Sequence, residues 1–362
     1  MLELPYYPRP ALLNKIRTAY ESGLAAAICL FAPRREGKTW FVRRELIPAL
    51  EKDDWCAIYI DLWDNREVPE LAIVNSLEAK SPPPRAVLRR IKKLEVKVAG
   101  SGGSLEQFQD PADAEVSLQG RLKAALNRLA KKNAPVILII DEVQTLASSR
   151  DANFVAALRA SLQAHQGTVF AFFTGSSRNA LNRMFRDRKA PLFDSAYPMS
   201  LDDLGRGFIE DRASVYKRLT GKDTNPDALE EVFDAVGKNP FYMNQIILKM
   251  IVDEINDPRQ AHEQWELRDD DDGFKARWVK LKALHQAILA ELAHQSDEGI
   301  YTEPARKRIA KRMGMSEPLK ASVIQQGIRN LTKNGLVDSI GEPGRYELAD
   351  RAFAHFIESG NG

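Results

Sequence analysis

The chain has few cysteines, no long apolar run and no excess of one charge. Cys29 and Cys56 are its only two cysteines among 362 residues. Each lies in an apolar run typical of a buried strand, so we expect two buried thiols rather than a disulfide or a metal site. No segment approaches the ~20 apolar residues of a membrane-spanning helix, and the N-terminus lacks the pattern of a secretion signal. We therefore expect a cytoplasmic protein with no membrane partner.

The charge balance excludes a generally basic nucleic-acid binder. The chain carries 52 Lys and Arg against 50 Asp and Glu, a net charge of +2. Any DNA-binding surface must therefore be a local patch. The length favours two or three domains rather than one core.

Four apolar runs predict buried strands, namely AAAICLFA, WCAIYIDLW, PVILIIDE and TVFAFFTG. Amphipathic segments such as SLQGRLKAALNRLAKK lie between them and predict helices. Strands that alternate with helices indicate an α/β fold with a parallel sheet and flanking helices. We expect this α/β domain at 1–200, a helical lid at 201–267 and a last domain at 275–362. We also expect a hairpin or flap at 94–115 and a solvated acidic linker at 268–273.

The stretch APRREGKT at 32–39 has the spacing of a phosphate-binding P-loop between a strand and a helix. Ala32 stands where a glycine is usual, and Gly37 permits close approach of the backbone to phosphate. Lys38 is expected to reach the β- and γ-phosphates of ATP, and Thr39 to ligate Mg²⁺. The residues expected to contact the nucleotide here are Pro33, Arg34, Arg35, Glu36, Gly37, Lys38, Thr39 and Trp40.

Two adjacent carboxylates end the strand PVILIIDE. The C-terminal ends of parallel strands are where open α/β sheets bind ligands, so this pair is expected beside the P-loop. We predict that Asp141 holds the Mg²⁺ and that Glu142 polarises the attacking water. ATP or ADP with Mg²⁺ are the cofactors that this pattern implies.

These motifs resemble the AAA+-like P-loop ATPases, within them the archaeal-type ATPases related to STAND switch proteins and to Orc/Cdc6 initiators. The resemblance implies a polar sensor at the end of the fourth strand, for which Thr174 is the first candidate and Ser176 the second. Ser176 could instead cap the next helix. It also implies an arginine finger, Arg186 or Arg188, that acts on a neighbouring subunit of a homo-oligomer. A solvated or DNA-facing basic loop is the alternative for these arginines.

The stretch GKNPFYMNQI at 237–246 resembles the lid motif of STAND-type ATPases. Gly237, Asn239 and Pro240 carry the match, and the resemblance implies that Pro240 packs against the nucleotide base. It likewise implies a contact of Arg9 near the adenine. The stretch contains no arginine that could serve as a second sensor, which favours a switch or a slow ATPase over a fast motor.

The C-terminal segment predicts helix, turn, helix and wing, as in a winged helix-turn-helix. Residues 301–340 hold eight Lys or Arg against three Asp or Glu. A second helix is expected from an N-cap at Ser316 to Gly335, and its polar face suits phosphates and base edges of double-stranded DNA. The expected contacts are Arg306, Lys307, Arg308, Ser322, Gln325, Gln326, Arg329 and Lys333. Packing against the lid or binding of a protein partner is the alternative.

Three functions fit these observations. The first is an ATP-hydrolysing protein that couples its nucleotide state to DNA binding or assembly. The second is a nucleotide-dependent switch or scaffold with slow hydrolysis, whose last domain binds a protein. The third is a transcription regulator with a vestigial ATPase, against which the intact Lys38, Thr39, Asp141 and Glu142 argue.

Overall fold

The structure is a computed structural model of the chain. It describes residues 6–64, 67–84, 87, 117–147, 152–267, 273–294, 299–339 and 344–360. The hairpin predicted at 94–115 lies outside these residues, and so does most of the acidic run at 268–273. Both stay predictions.

Two compact units make up the fold. The sheet unit comprises residues 8–32 and 38–201, and the helical unit comprises residues 1–7, 33–37 and 202–362. The division into three domains stays a prediction.

The sheet unit is built on five parallel strands in the order β2-β3-β4-β1-β5. The strands are β1 (Ala27–Phe31), β2 (Cys56–Asp61), β3 (Val136–Asp141), β4 (Val169–Gly175) and β5 (Tyr197–Ser200). The first four are the predicted strands, and with the flanking helices they form the P-loop NTPase fold. The sequence pattern did not predict β5, a four-residue edge strand that contains Pro198. Its shortness and its proline give it no strand pattern.

The sheet is buried on both faces. Every residue of β3 is buried. Along this strand Val136, Leu138 and Ile140 enter one apolar cluster, and Ile137 and Ile139 enter the other. Successive side chains of a strand point to opposite faces, which explains why the strand is a continuous apolar run rather than an alternating one. Both cysteines are free: Cys29 is buried and Cys56 is half-buried.

Helices cover the sheet on both sides. They are α1 (Pro10–Glu21), α2 (Lys38–Phe41), α3 (Ile47–Lys52), α4 (Pro69–Lys80), α5 (Leu118–Leu129), α6 (Ala152–Ala164) and α7 (Arg178–Phe185). A π-helical segment, Val42–Leu46, joins α2 to α3. Pro48 follows this segment and has no N–H to donate to the carbonyl of Arg44, which disfavours a regular α-helical ladder here.

The described residues of the helical unit form helices and one two-stranded antiparallel sheet. Its helices are α8 (Arg206–Thr220), α9 (Pro226–Ala235), α10 (Pro240–Val252), α11 (Pro258–Glu266), α12 (Phe274–Val279), α13 (Ala283–Ala293), α14 (Glu303–Arg312), α15 (Ala321–Lys333) and α16 (Arg351–Glu358). The strands β6 (Val337–Ser339) and β7 (Tyr346–Leu348) pair between α15 and α16. One apolar cluster runs through the whole unit, from Phe208 to Ile357. Whether α13 to β7 form a winged helix stays a prediction.

The start of the second C-terminal helix was predicted wrongly. Helix α15 begins at Ala321 after Lys320, and Ser316 is not its N-cap. Pro318 disfavours helical geometry in Glu317 before it, and the chain is irregular up to Lys320. Arg306 Nη1 donates to the carbonyl oxygen of Leu319 in this irregular segment, at 3.0 Å.

In the part of the chain that the structure describes, no helix combines the length and the apolar character that crossing a membrane requires.

Candidate nucleotide-binding site

The P-loop lies between β1 and α2, as its sequence predicts. Gly37 has φ +94°, a value that side chains with a Cβ rarely adopt, so glycine is needed at this turn. Lys38 is buried, and its Nζ donates to the carbonyl oxygen of Ala32 at 2.6 Å. The lysine therefore closes the loop on its own first residue. Ala32 keeps φ outside the left-handed region, so its methyl group introduces no backbone strain.

The expected nucleotide contacts around this turn differ in exposure. Arg34 and Arg35 are exposed, and Glu36 is half-buried. Arg35 has φ +68° and lies with its guanidinium carbon 4.7 Å from the ring centre of Phe241, within the helical unit. Trp40 is exposed in the sheet unit, where Arg44 covers its ring at 4.5 Å.

Asp141 lies at the C-terminal end of β3 and is almost fully buried, at 2% exposure. Its Oδ2 accepts hydrogen bonds from Thr39 Oγ1 at 2.9 Å and from Tyr59 Oη at 2.8 Å. Its Oδ1 accepts from the backbone N–H of Glu142 at 3.1 Å and from Thr174 Oγ1. Four donors thus satisfy this buried carboxylate, as a buried charge requires. The fold brings together Thr39, Asp141 and Thr174, which the sequence placed in one site.

Strand β2 adds two residues to the site that the sequence motifs did not reveal. The register pairs Asp61 with Asp141 across the two strands, and Tyr59 Oη lies 3.5 Å from Asp61 Oδ2. Burial raises the pKa of the Tyr59 hydroxyl, and the neighbouring Asp141 raises it further, so the group keeps its proton. Burial also raises the pKa of the Asp61 carboxyl, and Asp141 adds to that shift. In the sequence both residues belong to an apolar run that predicts a buried strand. The one signal is their spacing: Tyr59 and Asp61 are two residues apart, which places them on the same face of the strand.

Glu142 turns away from the strand and is held by the end of β4. Its backbone is left-handed, with φ +56° and ψ +46°. Its Oε2 accepts a hydrogen bond from Ser176 Oγ at 2.7 Å and another from Gln144 Nε2. A Cβ at Gly175 would lie 2.5 Å from Gln144 Oε1 and 2.8 Å from Leu181 Cδ2, so a larger residue would displace these side chains. The sequence motifs did not point to Gln144.

The two sensor candidates have different partners. Thr174 is fully buried and contacts Asp141, whereas Ser176 contacts Glu142. The cap of α7 is Ser177, which accepts from the backbone N–H of Ala180 at 3.3 Å. Ser176 therefore does not cap the helix, and both candidates reach a carboxylate of the predicted catalytic pair.

The oxygen atoms at this edge fit a magnesium ion. Mg²⁺ prefers hard oxygen ligands and is commonly bound through one or two protein groups and the phosphates of its nucleotide. The hydroxyl of Thr39 and the carboxylate of Asp141 are such ligands, and they lie 2.9 Å apart. These two residues would hold the ion, which would neutralise charge on the phosphates.

The remaining residues that the resemblance implies lie on other elements. Arg186 and Arg188 are exposed after the end of α7. The backbone N–H of Arg9 donates to Glu45 Oε1 at 2.8 Å. In the helical unit Pro240 is the first residue of α10, which Asn239 caps by accepting from the N–H of Phe241 at 3.0 Å. The roles of these residues stay predictions.

The predicted DNA contacts fall into two groups. Arg306 and Arg308 are engaged within the helical unit: Arg306 with Leu319, and Arg308 with the buried Glu291, at 2.7 Å between Nη2 and Oε1. The other six residues are exposed on α14 and α15, namely Lys307, Ser322, Gln325, Gln326, Arg329 and Lys333.

A family model for ATPase domains that come predominantly from Archaea matches residues 6–246, more than half of the chain. The chain belongs to this family. The match starts before the P-loop and ends in α10, so it covers Lys38, Thr39, Asp141 and Glu142 of this archaeal-type ATPase. The resemblance to archaeal-type ATPases is confirmed, and the relation to STAND switch proteins stays a prediction. No curated protein matches the sequence.

Solved structures share the fold of this archaeal-type ATPase at low sequence identity. A Walker-type ATPase of Pyrococcus abyssi is 17% identical with a TM-score of 0.64, over 98% of this chain and 96% of that one. The ORC2 protein of Aeropyrum pernix in its ADP form is 16% identical with a TM-score of 0.55, over 99% of this chain and 95% of that one. The same protein in ADPNP-ADP complexes is 16% identical with a TM-score of 0.53, over 99% of this chain and 97% of that one. The α/β P-loop fold expected from the sequence is therefore confirmed.

Proposed function

We propose that this protein binds ATP with Mg²⁺, hydrolyses it, and couples the nucleotide state to binding of double-stranded DNA through its C-terminal domain. The observation that carries the ATPase part is the cluster at the C-terminal edge of the sheet. There Thr39 and Thr174 both donate to Asp141, and Glu142 follows directly. Similar structures of Aeropyrum pernix ORC2 are an ADP form and ADPNP-ADP complexes, which agrees with a nucleotide as ligand.

Each residue of the cluster has a distinct part in hydrolysis. Lys38 leaves its internal bond to Ala32 and binds the β- and γ-phosphates, where its positive charge is needed. Thr39 and Asp141 would hold the metal ion, which would neutralise charge on the phosphates. Glu142 Oε1 accepts a proton from the attacking water, since Ser176 and Gln144 both occupy Oε2. Thr174 keeps Asp141 in place from the end of the neighbouring strand β4.

The DNA part rests on the exposed face of α14 and α15. The exposed Lys307, Arg329 and Lys333 suit phosphates, while Gln325 and Gln326 suit base edges. Arg306 and Arg308 are left out of this face because they bind Leu319 and Glu291.

A second candidate is a slow nucleotide switch whose C-terminal domain binds a protein. A groove between α13 and α15 supports it, because Leu284, Val323 and Gly327 form an apolar strip there. The polar lining residues are Lys282, His285, Ser322, Gln326 and Asn330. Val323 is 38% exposed, and such a side chain suits a protein surface better than a phosphate.

The test is steady-state ATP hydrolysis with and without double-stranded DNA, beside the variants Lys38→Ala and Glu142→Gln. We expect turnover that DNA stimulates, no nucleotide binding by Lys38→Ala, and binding without turnover by Glu142→Gln. Turnover that is slow and indifferent to DNA would favour the switch. Turnover of Glu142→Gln at the parental rate would exclude Glu142 as the base.

A further inference from the structure

The hydroxyl of Tyr59 lies between two carboxylates at neighbouring strand ends. It is 2.8 Å from Asp141 Oδ2 and 3.5 Å from Asp61 Oδ2. A phenol has one proton to donate, and the shorter distance assigns that proton to Asp141. Neither composition nor motif spacing gives this tyrosine a role.

Tyr59 shares its acceptor with the predicted metal ligand Thr39. Both hydroxyls donate to the same atom, Asp141 Oδ2, whereas Thr174 and the N–H of Glu142 bind Oδ1. The two pairs of donors fix the carboxylate plane from both sides. Thr39 is itself expected to ligate the ion. Of the two donors to Oδ2, Tyr59 is therefore the one whose expected role is only to orient the carboxylate.

The ring of Tyr59 is itself held in place. The guanidinium carbon of Arg43 lies 4.6 Å from its ring centre, a cation–π distance. Arg43 belongs to the π-helical segment that follows α2, and α2 begins with Lys38 and Thr39. The same run of helix therefore presents Thr39 to Asp141 and restrains the tyrosine that orients Asp141.

We propose that Tyr59 is a positioning residue that orients Asp141 toward the magnesium ion of the nucleotide. This inference rests on the proposed function. Groups that orient a metal ligand from the outer shell set its direction, and their removal typically lowers metal affinity about 10- to 100-fold. Tyr59 acts on the ion through Asp141 and does not touch the substrate.

The experiment compares the affinity for a fluorescent ADP analogue in EDTA and in a Mg²⁺ titration. The variant is Tyr59→Phe, which removes one oxygen and keeps the ring under Arg43. We expect wild-type affinity in EDTA and an apparent Mg²⁺ constant about tenfold higher than that of the wild type.

The matched control is Tyr20→Phe. Tyr20 is 3% exposed in the same sheet unit, and its hydroxyl donates to the carbonyl oxygen of Ala171 at 2.7 Å. This variant removes a buried tyrosine hydrogen bond to a backbone carbonyl rather than to a carboxylate, so it should keep the wild-type Mg²⁺ constant. Thermal unfolding of both variants separates a loss of stability from a loss of metal affinity.

Two results would overturn the proposal, and they differ. A wild-type Mg²⁺ constant in Tyr59→Phe would remove Tyr59 from the metal site and leave the ATPase proposal standing. Absence of ADP binding by the wild-type protein in both conditions would overturn the proposed function, and this inference with it.

Discussion

Ser176 Oγ donates a hydrogen bond to Glu142 Oε2 at 2.7 Å, from the residue after β4 to the residue after β3. Gln144 Nε2 donates to the same oxygen. The backbone of Glu142 is left-handed, so these two donors decide where its carboxylate points. One donor is local, since Gln144 is two residues away, and the other is tertiary, since Ser176 is 34 residues away.

Ser176→Ala should lower kcat and leave KM unchanged, because Ser176 acts on the base and not on the bound nucleotide. A hydrogen bond to a charged group contributes about 1.5–3 kcal/mol, so a loss of about 10- to 100-fold in kcat is expected. Gln144→Met should act in the same direction. Steady-state kinetics with ATP measure both effects.

A double-mutant cycle provides the control for this prediction. In a Glu142→Gln background, where the base is already absent, Ser176→Ala should change the residual rate little. An increase of kcat in the single variant would show that Ser176 holds Glu142 in an idle position.

Thr174→Val should lower both turnover and stability, whereas Thr174→Ser should keep most of both. Thr174 is fully buried and donates to Asp141, and valine keeps its shape but not its hydroxyl. Loss of one hydrogen bond to the buried Asp141 carboxylate should lower the free energy of unfolding by about 1–3 kcal/mol. Thermal unfolding and ATP turnover of the two variants test this. Equal behaviour of valine and serine would assign Thr174 a packing role only.

The sequence predicted those parts of the site that depend on local pattern. The P-loop and the acidic pair each follow an apolar run, so Lys38, Thr39, Asp141 and Glu142 could be found from their neighbours in the chain alone. Edge strand β5 has no such run, which is why it was missed.

Some contacts were not predictable because the partners lie on other elements. Tyr59 reaches Asp141 only because β2 pairs with β3 in one register. Arg308 is exposed on α14, and it also binds the buried Glu291 on α13, a partner that its own segment does not reveal. The sequence pattern of one segment does not reveal which side chains of another segment will contact it in the fold.

Arg308→Met should destabilise the protein, and Lys307→Met should not. The first variant leaves Glu291, which is 5% exposed, without its positive partner. Because Arg308 itself is 43% exposed, we expect a loss of about 1–3 kcal/mol in the free energy of unfolding. Lys307 is exposed, and its replacement should change stability by less than about 0.5 kcal/mol. Urea unfolding measures both. Equal stability of the two variants would contradict the role of the ion pair.

Neutralising the exposed cations of α14 and α15 should weaken DNA binding and its dependence on salt. The variant carries Lys307→Gln, Arg329→Gln and Lys333→Gln and leaves Arg306 and Arg308 intact, so the fold keeps their internal bonds. The slope of log K against log salt should become shallower by about 0.9 for every phosphate that the variant no longer neutralises.

The control for this variant removes three exposed lysines from the sheet unit by the change to Gln, namely Lys52, Lys123 and Lys131. Both variants lose three positive charges, so a general effect of net charge would lower the two slopes equally. A decrease confined to the α14–α15 variant locates the DNA on this face. If the α14–α15 variant still binds DNA with an unchanged slope, the DNA contact lies on another surface. The exposed face of α14 and α15 would then be assigned to a protein partner.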